Sequence, residues 1–470
     1  MILHQECPGL RRESPVLKRV LLSETDLPDR WYNILPDLPT PLPGPLNPVT
    51  MAPLQPGDLV DLLPQKVIEH EFTQDRWVEI PERVRDVYKI WRPSPLVRAE
   101  RLERALDTPA HIYFKFEGVS PSGSHKPNTA VVQAYYAAEE GVRRLTTETG
   151  AGQWGSALSF AGALFGLEVN VYMVRASFEQ KPYRKSLMQS WGAQVYASPT
   201  RRTEAGRQVL AQDPDSPGSI GIAISEAVAD ALSRDDTKFA LGSIMNNVLL
   251  HQSVIGLEAR KQMEIMGEYP DVVIGCVGGG SNYAGLAYPF LRDRLSGERP
   301  RTRFVAAEPE ACPTLTRGKL AYDYPDTTGL TPPLYMHTLG HGFIPGSIHA
   351  GGLRYHGDAP SLCLLKEHGL VEARAFPQTE IFDAAVRFAR SEGFVIAPES
   401  SHGLKAALVE ALAAREAGEE RVILFNISGH GNFDLAAFDS FLAGTMENPT
   451  VTDEQIAASL SDLPSPSASV

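Results

Sequence analysis

Cysteine is scarce in this chain: four residues in 470 (Cys7, Cys276, Cys312 and Cys363), with no Cys-x-x-Cys among them. Neither a disulfide framework nor a thiolate zinc site can be built from that set, and a reducing compartment is expected. No apolar run reaches the length of a membrane span. Arg11 and Arg12 come early but no apolar signal core follows them, so a cytoplasmic protein away from any membrane is expected. Positive charge is in deficit, with 44 Lys+Arg against 57 Asp+Glu and a net charge of −13, which argues against nucleic acid as a partner. There is no Walker lysine motif, no His-Glu-x-x-His and no Gly-x-Ser-x-Gly, which removes several hydrolase classes. His337, His341, His349 and His356 share a glycine-rich stretch, but their spacing matches no standard metal site and no metal is expected.

What the chain does contain is alternation. At 470 residues it is too long for one simple core, so two domains are expected. Ten prolines between 28 and 65 favour extended backbone and mark a strap lying on the fold rather than a domain. Strand and helix patterns then alternate. Ile112–Phe116 predicts a strand, Thr129–Glu140 a helix, Leu145–Glu148 a strand and Gln153–Phe165 a helix. Val169–Val174 and Gln194–Ala197 follow as strands around a helix over Lys181–Trp191. After a long, mostly helical stretch from Ile220 to Met266 the alternation resumes. Val272–Val277, Arg303–Ala307 and Val422–Asn426 predict strands, and Ser281–Leu295, Glu380–Arg390 and His402–Ala417 predict helices. Strands separated by helices of this length imply βαβ units and parallel sheet. The expected architecture is α/β, with two three-layer domains, mostly parallel sheets and a crevice between them where a ligand binds. The expected organisation is an extension over 1–91, an N-terminal unit over 92–247 (its first part, near 92–125, able to join the other unit), a C-terminal unit over 248–445 and a flexible tail over 446–470.

Two segments carry chemistry. Lys126 stands in Gly123-Ser-His-Lys-Pro-Asn128, ahead of a helix that is apolar on most faces. A lysine near a helix start is ordinarily a solvated surface residue, but one on the first turn of so buried a helix faces a cleft. There, desolvation lowers an amine's pKa and makes it nucleophilic. Gly278-Gly-Gly-Ser-Asn282 lies between a strand and a helix, the geometry that turns backbone N–H groups toward an anion. An amine able to form a Schiff base and a phosphate-holding loop together suggest pyridoxal phosphate. Two readings compete for the glycines: a structural turn, and a dinucleotide fingerprint in which Glu308, at the end of the next strand, takes the ribose. The consecutive glycines miss the Gly-x-Gly-x-x-Gly register. A third loop, Glu148-Thr-Gly-Ala-Gly-Gln153, allows close approach of a carboxylate to backbone N–H groups beside an acid, or is a plain βα turn.

With these motifs in view, the sequence resembles the tryptophan synthase β chains, specifically their second, divergent type. The likeness runs from about Arg92 to Asp434 through Arg92-Pro-Ser-Pro-Leu96, Gly123–Thr129, Glu148–Gly155 and Glu179-Gln-Lys-Pro-Tyr-Arg184. It continues through Leu249–Gln252, Gly278–Asn282, His349–Gly357, Pro398–His402 and Ser428-Gly-His-Gly431. Trp154 and the His349-Ala-Gly-Gly-Leu-Arg-Tyr355 run point to the second type. The resemblance implies the fold-type II pyridoxal-phosphate architecture. It also implies synthesis of L-tryptophan from L-serine and indole by an independently working homodimer, and leaves open whether indole arrives free or from an α-type chain.

It assigns roles as well. Lys126 bears the Schiff base and moves the Cα proton. His125 and the loop Gly278, Gly279, Gly280, Ser281 and Asn282 hold the phosphate, and Asn128 is placed near the cofactor's phenolic oxygen. Glu148 is the acid/base, while Thr149, Gly150, Ala151, Gly152 and Gln153 bind the substrate carboxylate. Ser428 partners the pyridine nitrogen and Glu399 lies near that ring. A segment within Gly141 to about Arg234 is expected to move and exclude water. One departure stands out: Gly342, in Leu339-Gly-His-Gly-Phe343, where related sequences carry an acid associated with closure, which puts closure and the choice of serine in question.

Overall fold

The computed structural model describes residues 18–464; the first part of the N-terminal extension and the last residues of the expected tail lie outside the described residues. Two sheets organise the chain. The larger has seven strands in the order Arg19–Val20, Leu96–Arg98, His111–Phe116, Val422–Ile427, Val272–Cys276, Arg303–Pro309 and Glu372–Phe376. From His111–Phe116 onward every pairing is parallel; the first two strands add antiparallel at one edge. The smaller sheet is all parallel, in the order Gln194–Ser198, Glu168–Val174, Arg144–Thr149 and Thr237–Phe239.

Alternation along the strands explains the layers. On the large sheet Val273 and Leu424 face the cluster holding Tyr283 and Ala284 of the helix Ser281–Leu295. Val272, Ile274, Ile423 and Phe425 face Leu404 and Ala407 of the helix Pro398–Ala417. Both faces are covered, so the central strands Val272–Cys276 and Val422–Ile427 carry apolar side chains on both sides, as buried parallel strands do. Side chains such as Ile112, Phe114, Ile274 and Phe425 are fully buried, each stabilising the fold by about 1.5–3 kcal/mol. The small sheet is covered likewise. Leu145, Val171 and Met173 pack with the helix Gln153–Phe165, and Tyr172 and Phe239 with Ala223 and Ala227 of the helix Ile220–Ala231.

Several expectations change in detail. The long helical stretch is broken: Ile220–Ala231, then the strand Thr237–Phe239, then helices Asn246–Gln252 and Val254–Met266. Three residues are too few to display a strand's period of two. The hairpin Lys319–Asp323/Leu334–Thr338 and the edge strand Glu372–Phe376 were not anticipated either. The proline-rich strap holds short 3-10 turns at Leu35–Asp37 and Pro56–Leu59, and anchors itself through the fully buried Trp31. The segment expected as a tail contains the helix Asp453–Ser459, whose Ile456 is buried with Leu339, Phe343 and Cys312. No helix among the described residues is long and apolar enough to cross a membrane.

Strand register positions the site. Parallel pairing sets Asn426 beside Lys115 and Ile427 beside Phe116, so the chain leaves both strands at one level. The His125 N–H then donates to the Ser428 carbonyl at 2.8 Å, while Val272–Cys276, next in the sheet, delivers the triple glycine to the same edge. Carboxyl ends of neighbouring parallel strands are where α/β proteins bind ligands.

Candidate active site

The three loops meet around a cavity with about 760 Å³ of empty space, between the two sheets, lined by Lys126, Glu148, Gly278–Asn282 and Ser428 among others.

Lys126 stands just before the first turn of the helix Pro127–Glu139. Its Nζ donates to Ser281 Oγ at 3.1 Å and to the Gly242 carbonyl. Burial lowers the amine to about 8, against the opposing pull of Glu148, Cys276 and Glu399. A nucleophilic free-base fraction therefore exists near neutrality.

Glu148 is the penultimate residue of the buried strand Arg144–Thr149. Its neighbour Thr147 has a single hydroxyl proton, directed to the Ala240 carbonyl at 2.6 Å, and the Trp154 indole N–H donates to that same hydroxyl. Burial raises the Glu148 carboxyl to about 8, with its own backbone N–H and Lys126 opposing only in part. A carboxylic acid that stays protonated at pH 7 is a proton donor in waiting.

The triple glycine is a cradle that side chains would fill. A Cβ on Gly279 would lie 2.1 Å from Ser243 Oγ, one on Gly278 2.5 Å from the Gly352 carbonyl, and Gly280 has a left-handed φ of 106°. Ser281 then opens a fifteen-residue helix, so its first N–H groups are free to bind an anion. His125 Nε2 sits 3.1 Å from Ser281 Oγ, and burial lowers its imidazole to about 3, so it acts there as a neutral hydrogen-bonding group. The Asn282 side chain ties the loop down, donating to the Cys276 carbonyl at 3.2 Å and accepting from Asn426 at 2.6 Å. An amine, an N–H cradle and a neutral hydroxyl are the donor set pyridoxal phosphate needs.

At the far side, Ser428 Oγ lies 2.8 Å from Ser400 Oγ and receives the Cys276 thiol at 3.8 Å. Burial pushes that thiol up to about 12, so these neighbours are uncharged. Glu399 accepts from Gly352 N at 2.8 Å and from Gln153 Nε2 at 3.2 Å, joining the ring side to the carboxylate loop. Thr149, Gly150, Ala151 and Gln153 face the cavity; Gly152, with φ 91°, turns instead against Arg184.

Asn128 requires a correction. Its amide is fully buried away from the cavity, receiving Arg92 Nη1 at 2.8 Å and Trp91 Nε1 at 3.3 Å and donating to Glu117 and Gln252. Two residues on from Lys126, a helical side chain is rotated by about 200° and cannot share its face. Residues that sequence reasoning missed include Gly242 and Ser243, and the apolar wall Ile220, Ile224 and Leu241. Only a Gly-Ser pair after an apolar run could have flagged the first two.

The competing readings lose their residues. Glu308 accepts from Leu315 N at 2.8 Å and Thr316 N at 2.9 Å, holding a turn rather than facing a ribose. Among the described residues no three or more His, Cys, Asp or Glu side chains come together as metal ligands would. At Gly342 a Cβ would meet nothing within 4 Å, so the position is open to a side chain.

Comparison with known proteins agrees with this geometry. A family model for pyridoxal-phosphate dependent enzymes matches residues 87–429. Tryptophan synthase beta chain 2 of Aquifex aeolicus is 58% identical over 432 residues, covering 92% of this chain and all of that protein. Its counterpart in Methanosarcina mazei is 57% identical over 429 residues, covering 91% and 97%. A fungal L-serine ammonia-lyase from Rhizomucor miehei shares the fold at a TM-score of 0.55 and 16% identity, over 75% of this chain and 98% of that one. By family model, relatives and fold together, this chain belongs to the tryptophan synthase β chains of the second type, fold-type II enzymes that depend on pyridoxal phosphate.

Proposed function

We propose that this chain joins L-serine and indole to give L-tryptophan and water, with Lys126 and Glu148 as its acid–base pair. The observation that carries the reading is Glu148: a carboxyl without a cationic hydrogen-bond partner, held protonated to about 8 by burial, in the same cavity as the Lys126 amine. Hydroxide is a poor leaving group, and a neutral carboxylic acid beside it supplies the missing proton.

Bound pyridoxal phosphate supplies the electron sink that acidifies the substrate Cα–H. Lys126 takes that proton and later returns it. The N–H groups of the Thr149–Gln153 loop orient the substrate carboxylate. Glu148 protonates the departing hydroxyl; left ionised, it accepts a hydrogen bond from the indole N–H as the indole carbon bonds to the substrate β-carbon, and it takes back the proton that this carbon then sheds. Ile220, Ile224 and Leu241 hold the indole ring by apolar contact. Ser428, neutral among neutral neighbours, does not force a proton onto the pyridine nitrogen, which favours elimination over transamination. His125 and the Gly278–Asn282 loop hold the phosphate, Asn282 through its backbone.

The resemblance also supports a cytoplasmic homodimer that takes indole free or from an α-type chain; light scattering on the purified protein, alone and with such a chain, tests this. The reaction itself is tested by product analysis of holoenzyme with L-serine, with and without indole. Tryptophan formed at the expense of pyruvate when indole is added is the expected result. Pyruvate formation indifferent to indole would make the enzyme a deaminase instead.

A further inference from the structure

Among the described residues, one ion pair joins residues 141–234 to the large-sheet unit. Lys181, between the short helices Arg175–Gln180 and Pro182–Ser190, donates to Asp434 Oδ1 at 2.6 Å, and the side chains are 6% and 1% exposed. The other ion pairs of that unit are internal to it or reach no farther than Asp236. Lys181 also donates to the His349 carbonyl at 3.2 Å, so one ammonium ties the small-sheet unit to two loops of the large-sheet unit. One turn on, Arg184 lies 4.4 Å from the centre of the Phe433 ring and donates to the Ser122 carbonyl at 3.2 Å. Its Cβ stands 2.9 Å from where a Cβ on Gly152 would be, directly behind the carboxylate loop.

We propose that Lys181 and Asp434 are positioning residues, a latch that holds the 141–234 unit closed on the site and sets the Thr149–Gln153 loop against the substrate. The inference rests on the proposed reaction and adds to it the device that keeps water out. Asp434 follows Ser428 by six residues, so the latch ties the substrate loop to the segment that partners the cofactor ring. The energetics suit a reversible tie. A buried pair gives up hydration that both charges recover on opening, so its net stabilisation is small. Asp434 Oδ2 has no hydrogen-bond partner among the described residues, which leaves the pair less than fully satisfied even when closed. Removing one partner is another matter, because it strands a buried charge and favours the open state.

The test uses holoenzyme of wild type, Lys181→Met, Asp434→Asn, the double variant and Lys181→Arg. Each single loss should keep the visible cofactor band, raise KM for L-serine about tenfold, increase the share of pyruvate over tryptophan and speed deuterium exchange across 141–234. The double variant should be no worse than either single, and Lys181→Arg should restore the wild-type product ratio. Single variants with wild-type partition and exchange, or a double variant whose losses multiply, overturn the latch. If a single variant does not fold, Lys181→Arg against the double variant decides by the same two readouts. A wild-type enzyme that makes no tryptophan overturns the reaction instead; deuterium exchange then still judges the latch.

Discussion

Lys126 Nζ and Ser281 Oγ, 155 residues apart in the chain, lie 3.1 Å from each other. The amine comes from the head of one helix and the hydroxyl from the head of another, and parallel pairing within one sheet brings both to the same edge. That convergence turns two unremarkable sequence segments into a site.

Glu148→Ala should retain the cofactor and lose elimination of L-serine by about 10²–10⁴-fold, the usual range for a general acid. The protonated form is needed, and burial keeps it to about 8, so wild-type elimination should fall as pH rises through that value. Pyruvate release by both enzymes across pH 6–10 checks this. An unchanged rate in the variant would remove Glu148 from the mechanism.

Gly279→Ala places a methyl group where Ser243 Oγ already stands, 2.1 Å away. Cofactor affinity should drop by about tenfold or more, a clash of about 1.4 kcal/mol being enough. Gly342→Ala, with open space around it, is the control and should bind normally. Titration of apoenzyme with pyridoxal phosphate reads both; equal affinities would place the phosphate elsewhere.

Ser428→Asp puts a negative charge beside the neutral Ser400 hydroxyl and Cys276 thiol. Pairing with the ring nitrogen would then favour its protonation and divert turnover toward transamination. The expected product mixture contains the amine form of the cofactor. A mixture like that of wild type counts against the electronic argument.

Away from the site, Glu71 is buried beneath the strap, accepts only from backbone at Asn247 (2.9 Å) and Asn246, and is raised to about 7 by that burial. The folded value lies above the unfolded one, so its contribution is full below about 4.5 and is lost as pH climbs through about 7. Glu71→Gln should remove a stability decline on the order of 3 kcal/mol across that window. Denaturant melts at pH 5 and pH 8 measure it; the same decline in both proteins would refute the assignment.

Local grammar made much of this legible. Glycines bracket the helices Gln153–Phe165 and Ser281–Leu295, and both ends were readable to the residue. Lys126, Glu148 and the triple glycine each carried a local signal, and family likeness supplied their roles. Long-range pairing was not legible: nothing near Ile112 announces Val422 as its neighbour's start, yet that pairing builds the site. Asn128 misled because sequence adjacency to Lys126 hides a half-turn of helix. Gly242 and Ser243 were invisible because the strand before them has three residues and no period.

Borohydride reduction of the yellow holoenzyme, followed by peptide mapping, tests the central claim most directly. The account predicts that the reduced pyridoxyl group is found on Lys126 alone, and that Lys126→Ala traps none. A label recovered on any other lysine of the native enzyme would contradict it.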